Sequence, residues 1–88
     1  MPKPNPSNLR GKTNQKIMLF FAENEGSIDT PRGISAWINE NIQTVRKSLE
    51  DLVKRGLLKA HRTSSTIGYS CALSRKELAR ISAEYKKK

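Results

Sequence analysis

The sequence has few of the residues that stabilise secreted proteins or anchor membrane proteins. Its single cysteine, Cys71, excludes a disulfide within the chain, and together with the single histidine, His61, it cannot supply the four ligands of a structural zinc site. No apolar run approaches the roughly 20 residues that span a membrane, and the start of the chain lacks the apolar stretch of a secretory signal. These absences predict a protein of a reducing compartment, cytoplasmic or associated with the nucleoid.

The residue patterns of catalytic sites are also missing. We find no nucleophile beside a base, no paired carboxylates in a plausible cleft and no glycine-rich phosphate loop. A chain of 88 residues forms one small domain with a modest core, which argues against a deep enclosed cleft. We therefore expect no enzymatic activity, no cofactor and no metal site.

Positive charge, by contrast, is abundant. The chain holds 17 lysines and arginines against 8 acidic residues, which gives a net charge of +9 and a pI of about 10.1. A small domain this basic favours a polyanionic partner, and nucleic acid is the first candidate.

This charge is unevenly distributed along the chain. Residues 1–16 hold four bases and no acid, whereas residues 17–41 hold one base and four acids. Residues 42–74 and 75–88 each hold six bases and two acids. The basic ends either contact phosphates or serve only to keep the protein soluble. The first half of the core is acidic and the second half is basic. This asymmetry predicts that one side of the folded domain faces the polyanion.

Four amphipathic segments predict helices. Apolar residues recur three and four positions apart over 14–25, 31–38, 42–55 and 75–85. Thr30 before Pro31, Asn41, and Ser74 with Glu77 are typical helix-start signals, and Gly56 is typical of a helix end. On the third helix, Glu50–Lys54 and Asp51–Arg55 are spaced to form ion pairs one turn apart.

Period-two alternation predicts a hairpin of two strands. The first strand covers 57–62 and the second covers Ile67 to Leu73, joined by a polar tip at 63–66, and residues 27–29 could add a short edge strand. Trp37 is expected in the core, with an exposed base-stacking position as the alternative. Cys71 is expected to be a small buried side chain and His61 a surface residue of the hairpin.

The strongest pattern is Val45-x-x-x-Leu49-x-x-Leu52-x-x-x-Gly56-Leu57-Leu58, which follows Thr30-Pro31 and precedes Tyr69-x-x-x-Leu73-Ser74. With these residues, the stretch from 16 to 73 resembles the winged helix-turn-helix superfamily. The resemblance implies a mainly α fold with a small β-hairpin (α+β), ordered helix, short strand, two helices, two strands and helix. The prolines and polar residues of 1–13 predict a flexible basic N-terminal arm. A winged helix domain at 14–85 and a basic C-terminal tail at 86–88 are expected to follow it.

The chain departs from this pattern at two places. Glu40 stands where the superfamily usually has an apolar residue in the turn before the third helix, and we expect Ile42 to pack there instead. The wing tip, residues 63–68, has no charged residue, so the resemblance does not supply an arginine at the tip for the minor groove.

Double-stranded DNA is the expected partner. The exposed side of helix 42–55 carries side chains that can pair with base edges in the major groove. The expected base-reading residues are Gln43, Thr44, Arg46 and Lys47. The expected phosphate contacts are Arg32, Lys54, Lys59 and Arg62, together with Lys3, Arg10, Lys12 and Lys16.

The sequence favours a small transcriptional regulator. The alternatives are a replication, partition or architectural protein with mostly non-specific binding, and a winged-helix module that binds protein; RNA binding is a weaker fourth. A homodimer is possible, and Leu78, Ile81 and Tyr85 of helix 75–85 either form its interface or pack on their own domain. No membrane partner is expected.

Overall fold

Four helices and one antiparallel hairpin follow one another along the chain. The computed structural model describes residues 11–85, with side chains described as far as Ala83. The order is α1 (Lys12–Glu23), α2 (Pro31–Ile38), α3 (Ile42–Lys54), β1 (Leu58–Arg62), β2 (Ile67–Cys71) and α4 (Arg75–Tyr85). The predicted mainly α architecture with a small hairpin is confirmed.

The apolar core is built around α1. Ile17, Met18 and Phe21 of α1 are fully buried, and the Phe20 and Phe21 rings contact each other edge to face, with centroids 5.0 Å apart. Every other element contributes to this core; its remaining members are Phe20, Ile34, Val45, Leu49, Leu52, Leu57, Leu58, Tyr69, Leu78 and Ile81. Burial of this apolar surface supplies the main driving force for folding. Leu78 and Ile81 thus pack on their own domain, which was the alternative to their forming a dimer interface.

Local side-chain caps fix the starts of α2, α3 and α4. Thr30 accepts a hydrogen bond from the Gly33 amide at 3.1 Å, immediately before Pro31. The Asn41 side chain accepts from the amides of Gln43, at 2.8 Å, and Thr44, at 3.3 Å. The Ser74–Glu77 capping box forms in both directions. These caps explain why the three predicted helix starts are confirmed.

The turn between α2 and α3 is closed by Ser35 and Glu40. The Ser35 hydroxyl donates to the Glu40 carbonyl at 2.8 Å, and the Glu40 amide donates to the Ser35 carbonyl at 3.1 Å. Asn39 takes left-handed backbone angles, with φ 59° and ψ 52°, which asparagine tolerates better than most residues. The Glu40 carboxylate is 2.6 Å from the Lys16 ammonium of α1, and Ile42 is half-buried. An ion pair to α1 therefore accommodates the acid where the superfamily usually has an apolar side chain.

The hairpin pairs Leu58 with Cys71 at one end and Arg62 with Ile67 at the other. The predicted strand at 27–29 is wrong in extent, because Asp29 alone pairs with the hairpin, in an isolated bridge to Tyr69. The chain enters the cap of α2 at Thr30 directly after this bridge, so a longer ladder cannot form. Ile28 is 62% exposed instead of paired.

The ends of α1 differ from the sequence prediction. The helix begins at Lys12, after Gly11 with φ 83°, and ends at Glu23, where the Asn24 side chain donates to the Phe20 carbonyl at 2.8 Å. Lys12 and Thr13, the last two residues of the arm predicted at 1–13, are therefore helical. Residues 1–10 and 86–88, which include most of the predicted arm and the basic tail, lie outside the described residues. Smaller shifts end α3 at Lys54 and begin β1 at Leu58.

Trp37 is 55% exposed, so the prediction that it lies in the core is wrong. Ile34 takes the central core-facing position of the short helix α2 and is fully buried. Trp37 lies at the edge of that contact and covers the Phe20 ring from outside, with ring centroids 5.1 Å apart. Helical spacing places Trp37 on the apolar side of α2. It does not show which residues at the edge of that side are exposed to solvent.

We expect Asn41→Ala to destabilise the protein by about 1 kcal/mol, because two amides at the start of α3 lose their acceptor. Asn41→Ser is the matched control, since serine is also a good cap, and its unfolding free energy should stay near that of the wild type. Urea unfolding followed by circular dichroism measures both. Equal stability of all three proteins would show that the cap contributes nothing.

Candidate nucleic-acid interface

An open groove of about 640 Å³ lies between α3, the hairpin and the start of α2. Its floor is Tyr69 of β2, which is buried, and its rim carries exposed charged and hydroxyl side chains. The lining residues are Thr30, Pro31, Arg32, Arg46, Glu50, Arg62, Thr63, Ser65, Thr66, Ile67 and Tyr69.

Three arginines from three different elements converge on this groove. Arg32 comes from the first turn of α2, Arg46 from the first half of α3 and Arg62 from the end of β1. Each is exposed, and none of the three forms an ion pair with an acidic residue among those whose side chains are described. Their guanidinium groups are therefore available to bind phosphate, for which their planar donors are well suited.

The electrostatics of Tyr69 locate the charges around the groove floor. Burial raises the pKa of the Tyr69 phenol above its ordinary value of 10.0, and the charge of Glu50 raises it further. Arg62 and Arg46 act in the opposite direction and lower the pKa of the same phenol. One acidic and two basic side chains thus lie close enough to the hydroxyl to influence it.

The exposed surface of α3 carries all four predicted base-reading residues. Gln43, Thr44, Arg46 and Lys47 are exposed, whereas Val45 on the core side is fully buried. At about 100° per residue, Thr44 and Arg46 lie roughly 200° apart around the helix axis. Arg46 therefore faces the groove, Gln43 and Lys47 point away from the core, and Thr44 lies on the other flank.

The amides at the start of α3 are already occupied. The sequence suggested that they could reach a phosphate, but the amides of Gln43 and Thr44 donate to the Asn41 side chain. Side chains, and not these amides, must therefore supply the contacts made by the start of α3.

The predicted phosphate contacts are distributed over several surfaces. Lys59 is three residues from Arg62 on β1, so it points to the opposite face of the hairpin, outside the groove. His61 shares that outer face and is exposed, as predicted, with its Nε2 2.7 Å from the Ser70 hydroxyl. Lys54 is exposed on the last turn of α3.

The remaining predicted phosphate contacts lie near the start of the chain. Lys12 is exposed in the first turn of α1, and Lys16 is held by Glu40. Lys3 and Arg10 lie outside the described residues. The structure thus brings Arg32 and Arg62 to the groove and leaves Lys12, Lys16, Lys54 and Lys59 elsewhere.

Glu50 and the wing hydroxyls were missed as residues of this site. The sequence suggested an ion pair between Glu50 and Lys54, whereas the structure places Glu50 in the groove. The other expected pair does form, with Arg55 Nε 2.8 Å from the Asp51 carboxylate. A signal for Glu50 was present, because Gln43, Arg46 and Glu50 are spaced three and four apart and share one stripe of α3.

The wing tip is uncharged but ordered by its own hydrogen bonds. The Thr63 hydroxyl accepts from the Thr66 amide at 3.1 Å and from the Ser65 amide at 3.4 Å. The Thr63 amide donates to the Thr66 carbonyl at 2.9 Å. The tip therefore presents hydroxyl groups in a fixed turn beside Arg62.

Cys71 packs against the core but is half-buried, whereas the sequence predicted a buried side chain. Burial raises the pKa of its thiol above the ordinary value of 9.0. A backbone hydrogen bond with Leu73 lowers this pKa, and the charge of Glu77 raises it.

In the part of the chain with described side chains, no three His, Cys, Asp or Glu residues come together as a metal site. No helix among residues 11–85 is both long and apolar enough to cross a membrane.

The arrangement of three helices, a wing between the third and fourth helices, and an exposed third helix matches known structures. Wild-type ZitR from Lactococcus lactis superposes with a TM-score of 0.66 at 22% identity, covering 98% of this chain and 57% of that one. A ZitR mutant in complex with DNA gives a TM-score of 0.71 at 20% identity, covering 98% and 59%. The chain has the winged helix-turn-helix fold.

A third match to the winged helix-turn-helix fold comes from Mycobacterium bovis. The homodimeric DNA-binding domain of Mb0332, a possible ArsR-family transcriptional regulator, gives a TM-score of 0.63 at 22% identity, covering 83% of this chain and 63% of that one. The chain thus spans about three fifths of the length of these structures. No model of a protein family and no curated protein matches it.

We expect the stability of the protein to fall at alkaline pH in part because of Tyr69. A phenol whose pKa is raised in the folded state contributes stability below the unfolded pKa of 10.0, and that contribution is lost as the pH rises through the folded pKa. Tyr69→Phe removes the titrating group and keeps the ring. Urea unfolding between pH 8 and 11 should show a smaller loss for the variant; parallel losses would contradict this origin.

Proposed function

We propose that this protein is a double-stranded DNA-binding transcriptional regulator that reads the major groove with α3. The observation that carries this proposal is the convergence of Arg32, Arg46 and Arg62 on one open groove beside the exposed side of α3. The fold shared with ZitR, which has been captured on DNA, supports the same partner. A recognition helix of this kind enters the major groove with its first turns.

Base reading is proposed for Gln43, Thr44, Arg46 and Lys47. Gln43 can pair with both edge atoms of adenine, and Arg46 can pair in the same way with guanine. Lys47 also suits guanine, and the Thr44 methyl group suits thymine. All four are exposed in the first half of α3, so no core contact has to break when they bind.

Phosphate binding is proposed for the basic residues around this helix. Arg32 of α2 and Arg62 of β1 both line the groove, so they can bind phosphates of the DNA backbone next to α3. Lys54, Lys59, Lys12 and Lys16 would add contacts on neighbouring surfaces, and Lys3 and Arg10 would extend them through the N-terminal arm. Lys16 must then exchange Glu40 for phosphate, which is feasible because surface ion pairs are weak.

A second candidate function is an architectural, replication or partition protein with mostly non-specific binding. The basic ends of the chain favour it, because non-specific affinity grows with the number of phosphates neutralised. Binding of a protein partner through the same surface is a third reading. Self-association stays a prediction: Mb0332 is homodimeric, and in this chain an interface on α4 would have to use the side away from Leu78 and Ile81.

Titration of a selected and a random duplex, followed by fluorescence anisotropy at several salt concentrations, tests the proposal. Arg46→Ala should cost about 1–3 kcal/mol on the selected site and relax specificity. Arg62→Ala should weaken both duplexes equally and lower the salt slope by about one, because it removes a phosphate contact.

Arg80→Ala is the control for these variants, since Arg80 is an exposed arginine of α4 outside the groove. Its affinities should match those of the wild type. A strong salt slope without a preferred site would favour the architectural reading. Absence of duplex binding at low salt would contradict both DNA-binding functions and leave the protein-interaction reading.

Removal of residues 1–10 should weaken binding to selected and random duplexes by the same factor and reduce the salt slope. The deletion keeps Gly11 and the whole of α1, so the folded domain is preserved. A duplex titration of the shortened and full-length proteins measures the change. Unchanged affinity would show that Lys3 and Arg10 do not contact DNA.

A further inference from the structure

Glu50 occupies an unexpected position for an acidic residue. It lines the groove together with Arg46 and Arg62, and of the described residues that line this groove it alone is acidic. Its charge reaches the floor, because it raises the pKa of the Tyr69 phenol. If the groove binds DNA as proposed, a carboxylate therefore lies where DNA phosphates approach.

The fold does not require this carboxylate. Glu50 is exposed and forms no hydrogen bond or ion pair with another residue whose side chain is described. Other acids stabilise local structure: Glu40 holds Lys16, Asp51 holds Arg55, and Glu77 caps α4. Glu50 repels phosphate without a comparable structural contribution.

The position of Glu50 on α3 relates it to base reading. It lies four residues after Arg46 and seven after Gln43, so the three side chains form one stripe along the helix. An ionised carboxylate has acceptors and no donor. In the major groove it matches the amino group of cytosine, whereas the amino group of adenine lies beside an acceptor that repels it.

From this placement we propose that Glu50 determines specificity at one base pair by accepting a hydrogen bond from a cytosine amino group. The inference rests on the proposed function. On most sequences the carboxylate meets phosphates and acceptor atoms and weakens binding. On a sequence with cytosine at the correct step, the hydrogen bond offsets this repulsion. Glu50 thus lowers affinity for random DNA more than affinity for the correct site.

Glu50→Gln tests the proposal, because it removes the charge and keeps the shape of the side chain. The variant should bind a random duplex on the order of tenfold more tightly than the wild type. The ratio between selected and random duplexes should fall on the order of tenfold, which is within the range for one base contact. Equal urea midpoints for the two proteins establish that folding is unchanged.

Glu23→Gln is the matched control, since it removes one negative charge from α1, outside the groove. It reports the effect of removing one negative charge at a position away from the groove. If Glu50→Gln tightens random binding no more than Glu23→Gln does, the inference is overturned. Site selection from random DNA supplies the second readout: the wild type should select cytosine at one step, and Glu50→Ala, which has no acceptor at that place, should lose that preference and keep the others.

Failure of the inference about Glu50 and failure of the proposed function give different experimental results. If the wild type selects a site and Glu50→Ala selects the same site with every position unchanged, the inference about Glu50 is wrong and the proposed function stands. If the wild type binds no duplex at low salt, the proposed function fails, and the inference fails with it. If the wild type binds without any preferred base, base reading by Glu50 is excluded while DNA binding is retained.

Discussion

The geometry of the candidate interface depends on one pair of backbone hydrogen bonds. The Asp29 amide donates to the Tyr69 carbonyl at 3.0 Å, and the Tyr69 amide donates to the Asp29 carbonyl at 2.7 Å. This bridge holds the wing against the residue that precedes the cap of α2, and the Asp29 carboxylate accepts from the Thr30 amide at 2.9 Å. Because of it, the start of α2, the floor of the groove and the wing form one continuous surface.

The three arginines that line the groove repel one another, and several features of the molecule limit the free-energy cost of this repulsion. Like charges repel, and the repulsion is tolerable where the groups remain solvated, as in this open groove. Glu50 reduces the local excess of positive charge in the free protein. The buried side of α3, with Val45, Leu49 and Leu52 fully inaccessible, holds the helix in place independently of these charges. Stability thus resides in the core, and the interface can be charged at little cost to folding.

Local signals in the sequence were sufficient to predict α2, α3, α4 and the hairpin. Thr30-Pro31, Asn41 and the Ser74–Glu77 pair act within one turn of the helix that they begin, so neighbouring residues decide the outcome. The strand at 27–29 and the burial of Trp37 were wrong because both depend on which distant segment lies opposite. For the interface, the sequence predicted Arg32, Arg46 and Arg62 individually. Their convergence depends on which face of the hairpin each side chain occupies and on how α2, α3 and the hairpin pack together. The choice of face separates Arg62 from Lys59.

The exposed ring of Trp37 has a practical consequence. It is the only tryptophan of the sequence, and it rests edge to face on Phe20, so indole emission, excited selectively over the two tyrosines, reports the contact between α2 and α1. Its half-exposed position in the folded state makes its emission sensitive to solvent as well as to that contact. Arg32 lies five residues earlier on the same short helix, about 140° away around its axis. The indole therefore provides an optical signal on the helix that carries one groove arginine, without any label being attached.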